Sequence, residues 1–211
     1  IPILGEIATL IWKYLKKKRR EKEERNFSAL LLKANPIRLV IGSSNVYQKG
    51  WVPSNIEYLN ILNLDRWRLY FKKESVYCML AEHVWEHLTL EDGELAAKNC
   101  YEYLTKGGYI RVAVPDGFHP DKEYIEEQKV GGRYSGIDGH KVLYNYKTLS
   151  SVFQRAGFQI KLLEYFDENQ EFHSNEWLVE DGLINRSLRF DRRNIQEQPI
   201  YTSIIIDAIK K

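Results

Sequence analysis

The sequence predicts an α/β domain built on an open, mostly parallel sheet, and three observations predict it. The run Val76-Tyr77-Cys78-Met79-Leu80-Ala81 is apolar and of strand length, and it breaks abruptly into Glu82-His83-Val84-Trp85-Glu86-His87-Leu88. A helix follows, with Thr89 as its cap and Asp92 three residues on, and it is expected to stop at Lys106-Gly107-Gly108. A second buried strand, Tyr109-Ile110-Arg111-Val112-Ala113-Val114, then ends in Pro115-Asp116. Strand, helix and strand in this order form a parallel crossover unit with polar groups at both strand tips. In an open parallel sheet, ligands bind outside the carboxyl ends of the strands, so Glu82, His83 and Asp116 are expected around one crevice.

The other elements follow in chain order. Ile3, Leu4, Ile7, Leu10, Ile11 and Leu15 recur at helical spacing, and Lys16-Lys17-Lys18-Arg19-Arg20 comes next, which is an amphipathic helix running into a basic collar. Residues 1–27 are expected to form this unit, and residues 28–211 a domain behind a polar join near Asn26 to Ser28. The apolar part is shorter than the roughly 20 residues a bilayer span takes. Because the chain opens on Ile1 and not on methionine, a longer hydrophobic segment upstream stays open. Residues 1–20 have two readings: a peripheral anchor on a membrane surface, or a helix packed on the domain or on a second copy, its basic run solvated or paired with Glu21, Glu23 and Glu24.

Arg38 to Ile41 reads as the first strand and Gly42-Ser43-Ser44-Asn45 as the turn behind it. The second strand, Gly50 to Ile56, begins too soon for a crossover helix. Leu59 to Leu62 is expected as a third strand and Asp65 to Lys72 as a short helix. Gly117 to Lys141, with Gly131, Gly132, Gly136 and Gly139, is expected to be a loop or lid. A helix over Tyr146 to Ala156 ends at Gly157, and strands over Phe158 to Tyr165 and Tyr201 to Ile209 close the fold. The long excursion between them carries His173, Trp177 and the cluster Arg186, Arg189, Arg192 and Arg193.

At 211 residues the chain fits one domain with a sizeable core. A formal charge of +2 supplies no extended basic face, so a nucleic-acid partner is not expected. Cys78 and Cys100 make neither a disulfide framework nor a zinc set; they read as small buried hydrophobes, and a cytoplasmic location is expected.

The block Glu82-His83-Val84-Trp85-Glu86-His87-Leu88-Thr89, followed by a helix and by Gly107-Gly108-Tyr109 and Ala113-Val114-Pro115-Asp116-Gly117, resembles the central motifs of class I S-adenosylmethionine-dependent methyltransferases. Many of these carry a Leu-Glu-His-Leu tetrad where this chain has Trp85-Glu86-His87-Leu88. Gly50-Trp51 soon after the first strand, the shortened connection before it, and Gly117-Phe118-His119-Pro120 after the fifth strand are similar to a small branch of that family. The resemblance runs from about Arg38 to the C-terminus. It implies a Rossmann-like, seven-stranded, mostly parallel sheet with a reversed C-terminal hairpin, S-adenosylmethionine as cofactor, and methyl transfer to a small-molecule or glycan-type acceptor.

Such a cofactor needs close backbone approach at its amino-acid tail and an acceptor for its ribose hydroxyls. Gly42 stands where the family places its first glycine, with Ser43 beside it in a turn that lacks the richer glycine pattern. Asn55 occupies the place of the family's acidic ribose ligand, and Glu57 follows on the same side of an extended strand. Asn60 falls near the adenine edge, and Glu82 and His83 beneath the sulfonium. His119 and His140, and less directly His87, are the candidates for a catalytic base, each with a structural role as the alternative. Phe118, Tyr134, Tyr144, Tyr146 and Trp177 could line an acceptor pocket or simply fill the core.

Two rival readings come from the same residues. His83-Val84-Trp85-Glu86-His87 matches the inverted zinc-peptidase signature, but that motif needs both histidines on one helical face, and here it straddles a strand end; no metal is expected. The glycine-poor turn and Asn55 also suit a cofactor-binding module without catalysis.

Overall fold

Aliphatic and β-branched runs make the centre of the molecule. In the computed structural model, which describes residues 2–44, 48–133, 139–196 and 198–211 and side chains from residue 7 onward, these runs are β1 (Ile37–Ile41), β3 (Val76–Glu82), β4 (Leu104–Pro115) and β7 (Ser203–Ile209). Their inner positions are almost wholly buried, as central strands require. With β2 (Val52–Pro53), β5 (Gln159–Phe166) and β6 (Phe172–Ser174), they form one seven-stranded sheet in the order β2-β1-β3-β4-β7-β5-β6. β2, β1, β3 and β4 pair in parallel. β7 runs antiparallel to both β4 and β5, and β6 antiparallel to β5. This is the expected Rossmann-like α/β architecture with its reversed C-terminal strand.

Successive residues of the inner strands point to opposite faces. Met79, Val112, Ile204 and Ile206 face a core shared with α2 (Leu64–Tyr70), α3 (Leu90–Tyr103) and α5 (Tyr146–Arg155). Cys78, Leu80, Ala113 and Ile205 face a second core closed by Trp51, Trp177 and Ile184. The second face is thus covered largely by the irregular excursion over residues 175–201. Buried polar side chains fix that cover to the strands. Arg111 of β4 donates to Asp207 of β7 and to the carbonyls of Leu178 and Gly182, and Glu164 of β5 accepts from the indole of Trp177 and the amide of Leu188.

The helices begin where capping side chains are available. Thr89 accepts from the Asp92 amide at α3, and Asn145 forms a reciprocal capping box with Thr148 at α5. The glycine-rich segment after β4 contains a helix, α4 (Lys122–Gln128), capped by Asp121. Tyr134 and Gly136 of that segment, and Asn45 of the first turn, lie outside the described residues.

Several expectations are corrected. The expected join at Asn26–Ser28 is helical, because α1 runs unbroken from Pro2 to Lys33. Phe27 is buried there against Tyr58 and Tyr70, with ring centroids 4.9 Å away in each case, and Glu24 pairs with Arg66 at 3.1 Å. Residues 7–20 of α1 are exposed, including Ile7, Leu10, Ile11, Trp12, Tyr14 and Leu15. Among the described residues no helix is long and apolar enough to cross a membrane.

The third strand expected over Leu59–Leu62 is a series of turns. Tyr58 and Leu59 donate to the Asn55 carbonyl, and the Asn60 side chain accepts from the Leu62 amide, so these peptides are satisfied locally and not by a neighbouring strand. The second strand shrinks to Val52–Pro53, and the count of seven is kept by β6 at the opposite edge. Gly107 and Gly108 do not stop a helix; they form a bulge inside β4, between the pairings Val76–Leu104 and Cys78–Tyr109. A Cβ on Gly108 would sit 2.6 Å from the Tyr77 carbonyl, so the bulge requires glycine.

Candidate functional site

The carboxyl ends of β1 and β3 open onto a cleft of about 840 Å³, a volume typical of small-molecule sites. β1 contributes Ile41, then Gly42 at φ 63°, where a Cβ would lie 2.8 Å from Cγ2 of Val84. Glycine supplies both the left-handed backbone and the clearance. β2 fixes this turn: Ser43 donates its amide to the Ser54 carbonyl and Ser54 donates to that of Val40, both at 2.8 Å. On the β3 side, Glu82 is followed by His83 in a left-handed conformation, φ 55°, and by a single 3-10 turn over Trp85–His87. That turn is anchored by the buried indole of Trp85, which donates to the Gly93 carbonyl at 3.2 Å. Across the cleft stand Gln128 at the end of α4, His140, and Asn185, Arg186, Arg193 and Tyr201 of the excursion.

Of the expected cofactor residues, Gly42, Ser43, Glu82 and His83 line the cleft, whereas Asn55, Glu57 and Asn60 do not. Asn55 is engaged by the turn itself, its Oδ1 accepting from the Ser44 amide at 3.0 Å. Glu57 is exposed, and Asn60 sits in the turns that replaced the third strand. The Glu82 carboxylate is also occupied: it accepts from the Asn185 amide and side chain and from the Arg186 amide at 3.2, 3.0 and 2.8 Å. Its role here is to hold the excursion against the strand tip.

Among the proposed bases, His87 and His140 line the cleft with ring centroids 5.1 Å apart. His119 does not. It is buried on Tyr124, with centroids 4.0 Å apart, its Nδ1 accepts from the Asp121 amide, and burial lowers its pKa. Asp116 is likewise internal, accepting from the amides of Phe118 and Phe166 at 2.9 and 2.7 Å. Of the aromatic candidates, Tyr144 and Trp177 belong to the two cores, and Phe118 and Tyr146 pack on each other.

Glu86 is the most deeply buried polar group on the cleft wall. Burial pushes its pKa up, but the charges and bonds of His83, its own backbone and His87 outweigh that, so the carboxyl stays below its ordinary value. His83 Nδ1 lies 2.9 Å from Glu86 Oε1, a charge contact without good hydrogen-bond direction, and His83 Nε2 lies 3.0 Å from Ser203 Oγ. His83 ends a strand and does not share a helix with His87, so the zinc-peptidase arrangement is not formed. The basic cluster of the excursion divides: Arg186 and Arg193 reach the cleft, while Arg189 stacks on Trp177 at 4.4 Å. Gln128, Asn185 and Tyr201 had no local signal in the sequence.

No protein-family model matches the sequence, and no curated protein matches it. Solved structures do resemble the chain. A SAM-dependent methyltransferase from Thermotoga maritima is 16% identical over 94% of this chain and 96% of its own, with a TM-score of 0.47. One from Archaeoglobus fulgidus is 14% identical over 94% of this chain and 100% of its own, at 0.46. One from Mesorhizobium loti is 11% identical over 82% of this chain and 90% of its own, at 0.49.

Proposed function

We propose that this chain belongs with the class I methyltransferases, binds S-adenosylmethionine in the cleft at the tips of β1 and β3, and transfers its methyl group to a small-molecule or glycan-type acceptor. The observation that carries the reading is the turn at Gly42. It is a left-handed glycine, packed so closely on Val84 that any side chain would collide, at the carboxyl end of a central parallel strand and on the wall of a cofactor-sized cleft.

When bound, the cofactor supplies an electrophilic methyl carbon. The chain's own contribution is alignment and activation of the acceptor, because displacement at carbon is governed by in-line approach. Gly42 and Ser43 give the backbone surface against which the amino-acid tail rests, and His83 borders the reacting centre. Glu86, His87 and His140 form the wall on which the acceptor loses its proton. Arg186 gives this wall a cationic edge suited to an acceptor bearing a carboxylate or phosphate, whereas Arg193 beside it is paired with Asp191.

Calorimetric titration with S-adenosylmethionine and S-adenosylhomocysteine tests the reading. Saturable binding is expected, weakened at least tenfold (about 1.4 kcal/mol) in Gly42→Ala. Absence of binding to either compound overturns it. A second reading, a cofactor-binding module without turnover, is favoured by the engagement of Asn55 and Glu82 within the protein. Tight binding of both compounds with no methyl transfer across hydroxyl, amine and carboxylate acceptors would select it.

A further inference from the structure

We propose that Glu86, His87 and His140 hold a divalent transition-metal ion on the wall of the cleft. Each offers one ligand atom, and these atoms all lie within 4.8 Å of one another. Ligands bonded at about 2.0–2.2 Å stand roughly 3–4.4 Å apart around one ion, so a small inward adjustment of side chains completes the set.

Three further observations support the assignment. Glu86 is 0% exposed, and neither of its carboxylate oxygens has a hydrogen-bond partner. A buried carboxylate held in its charged form without a well-directed hydrogen bond keeps lone pairs open to a cation. His83 Nδ1, 2.9 Å from Oε1, is one neighbour and leaves Oε2 for the ion. His140 is oriented as metal-binding histidines are: its Nδ1 lies 2.7 Å from the Gln128 carbonyl, which can only accept, so Nδ1 carries the proton and Nε2 presents a lone pair. Finally, the two segments are tied together by their backbones. The amides of Lys141 and Val142 both donate to the Glu86 carbonyl, at 2.7 and 3.3 Å, which fixes His140 relative to the turn that carries Glu86 and His87.

Two imidazoles and one carboxylate suit Mn²⁺, Fe²⁺ or Zn²⁺ better than a magnesium site, which prefers oxygen alone. Three protein ligands leave positions open toward the cleft. The catalytic role of the ion rests on the methyl-transfer reading. An acceptor hydroxyl placed on the ion loses its proton to water, and its oxygen bonds to the methyl carbon as the carbon–sulfur bond of the sulfonium breaks, leaving the neutral thioether of S-adenosylhomocysteine. A second group, Asp167, Glu171 and His173, is close enough to hold an ion, but it is more exposed and already satisfied: Asp167 accepts from the amides of Asn169 and Glu171 and contacts His173 at 2.9 Å.

The full chain, stripped with chelator and dialysed, is titrated with Mn²⁺ in the absence of any methyl donor, and free Mn²⁺ is read by its electron paramagnetic resonance signal. One ion per chain is expected. Glu86→Gln, a near-isosteric change, and His140→Ala should each weaken binding at least tenfold, and Asp167→Asn should leave it unchanged. No saturable binding up to about 1 mM, binding that survives both Glu86→Gln and His140→Ala, or binding lost only in Asp167→Asn overturns the proposal. Since no methyl donor is present, this outcome is independent of the cofactor titration, and the two readings fail separately.

Discussion

Replacing Arg111 by methionine tests whether the excursion that completes the cleft is held by the sheet beneath it. Arg111 is 2% exposed; its Nε and Nη2 donate to the two oxygens of Asp207 at 2.7 and 2.9 Å, and its Nη1 to the carbonyls of Gly182 and Leu178 at 2.7 and 3.1 Å. Methionine replaces much of the volume but strands one carboxylate and two carbonyls. Removing one partner of a buried ion pair costs about 3–5 kcal/mol, which for a chain of this size lowers the melting temperature by roughly 6–20 °C. Adding Asp207→Leu removes the orphaned charge, so the double variant should cost only about 1–3 kcal/mol, the share of the two carbonyls. Urea unfolding measures the free energies, and limited proteolysis reads local opening of residues 175–201, which should rise in both variants. A single variant within about 1 kcal/mol of the parent, or a double variant no more stable than Arg111→Met, would refute the clamp.

Burial pushes the Asp116 carboxyl from 3.8 up to about 6 against the amides of Phe166 and Phe118. The folded chain therefore binds this proton more tightly than the unfolded chain. The cost of ionisation is absent below about pH 4 and complete above about pH 6, amounting to about 3 kcal/mol at about 1.36 kcal/mol per pH unit. Urea unfolding between these limits should show the parent losing stability relative to Asp116→Asn as pH rises; parallel curves would exclude it. For α1, the membrane-anchor reading is tested on the exposed stripe of Ile7, Leu10, Ile11, Tyr14 and Leu15 beside an exposed run of basic residues. Co-sedimentation with phosphatidylserine vesicles but not with neutral ones is expected, and changing Lys16, Lys17 and Lys18 to Glu should weaken it by roughly a hundredfold or more, at about 1 kcal/mol per basic residue. Dimers by light scattering with no vesicle binding would assign this face to a second copy.

The unit β3-α3-β4 was legible because its signals are local: a continuous apolar run, a capping threonine and a second apolar run. The places of Gly42 and His83 after β1 and β3 were legible for the same reason, since each follows such a run. The missing third strand was not, because Leu59 and Ile61 are buried in turns and burial alone gives the same apolar letters as a strand. The excursion was also illegible. Its contribution to the cleft depends on contacts such as that of Arg186 with Glu82, 104 positions apart, and no spacing within either segment encodes them. His87 was a candidate base from the sequence, but its grouping with Glu86 and His140 was not legible, because the approach of His140 exists only in the folded chain.

Several grips on the excursion fall on its main chain. Glu82 takes the Arg186 amide, Glu164 the Leu188 amide, Arg111 the Gly182 carbonyl, and Gln48 both the amide and the carbonyl of Leu183. Every residue carries a backbone carbonyl and every residue except proline an amide N–H, so these fastenings are blind to the identity of the side chains they hold. Position 186, held through its amide, can therefore be exchanged to suit a different guest while the strap that carries it stays in place, and the scaffold can retune selectivity by surface substitution without renegotiating its core.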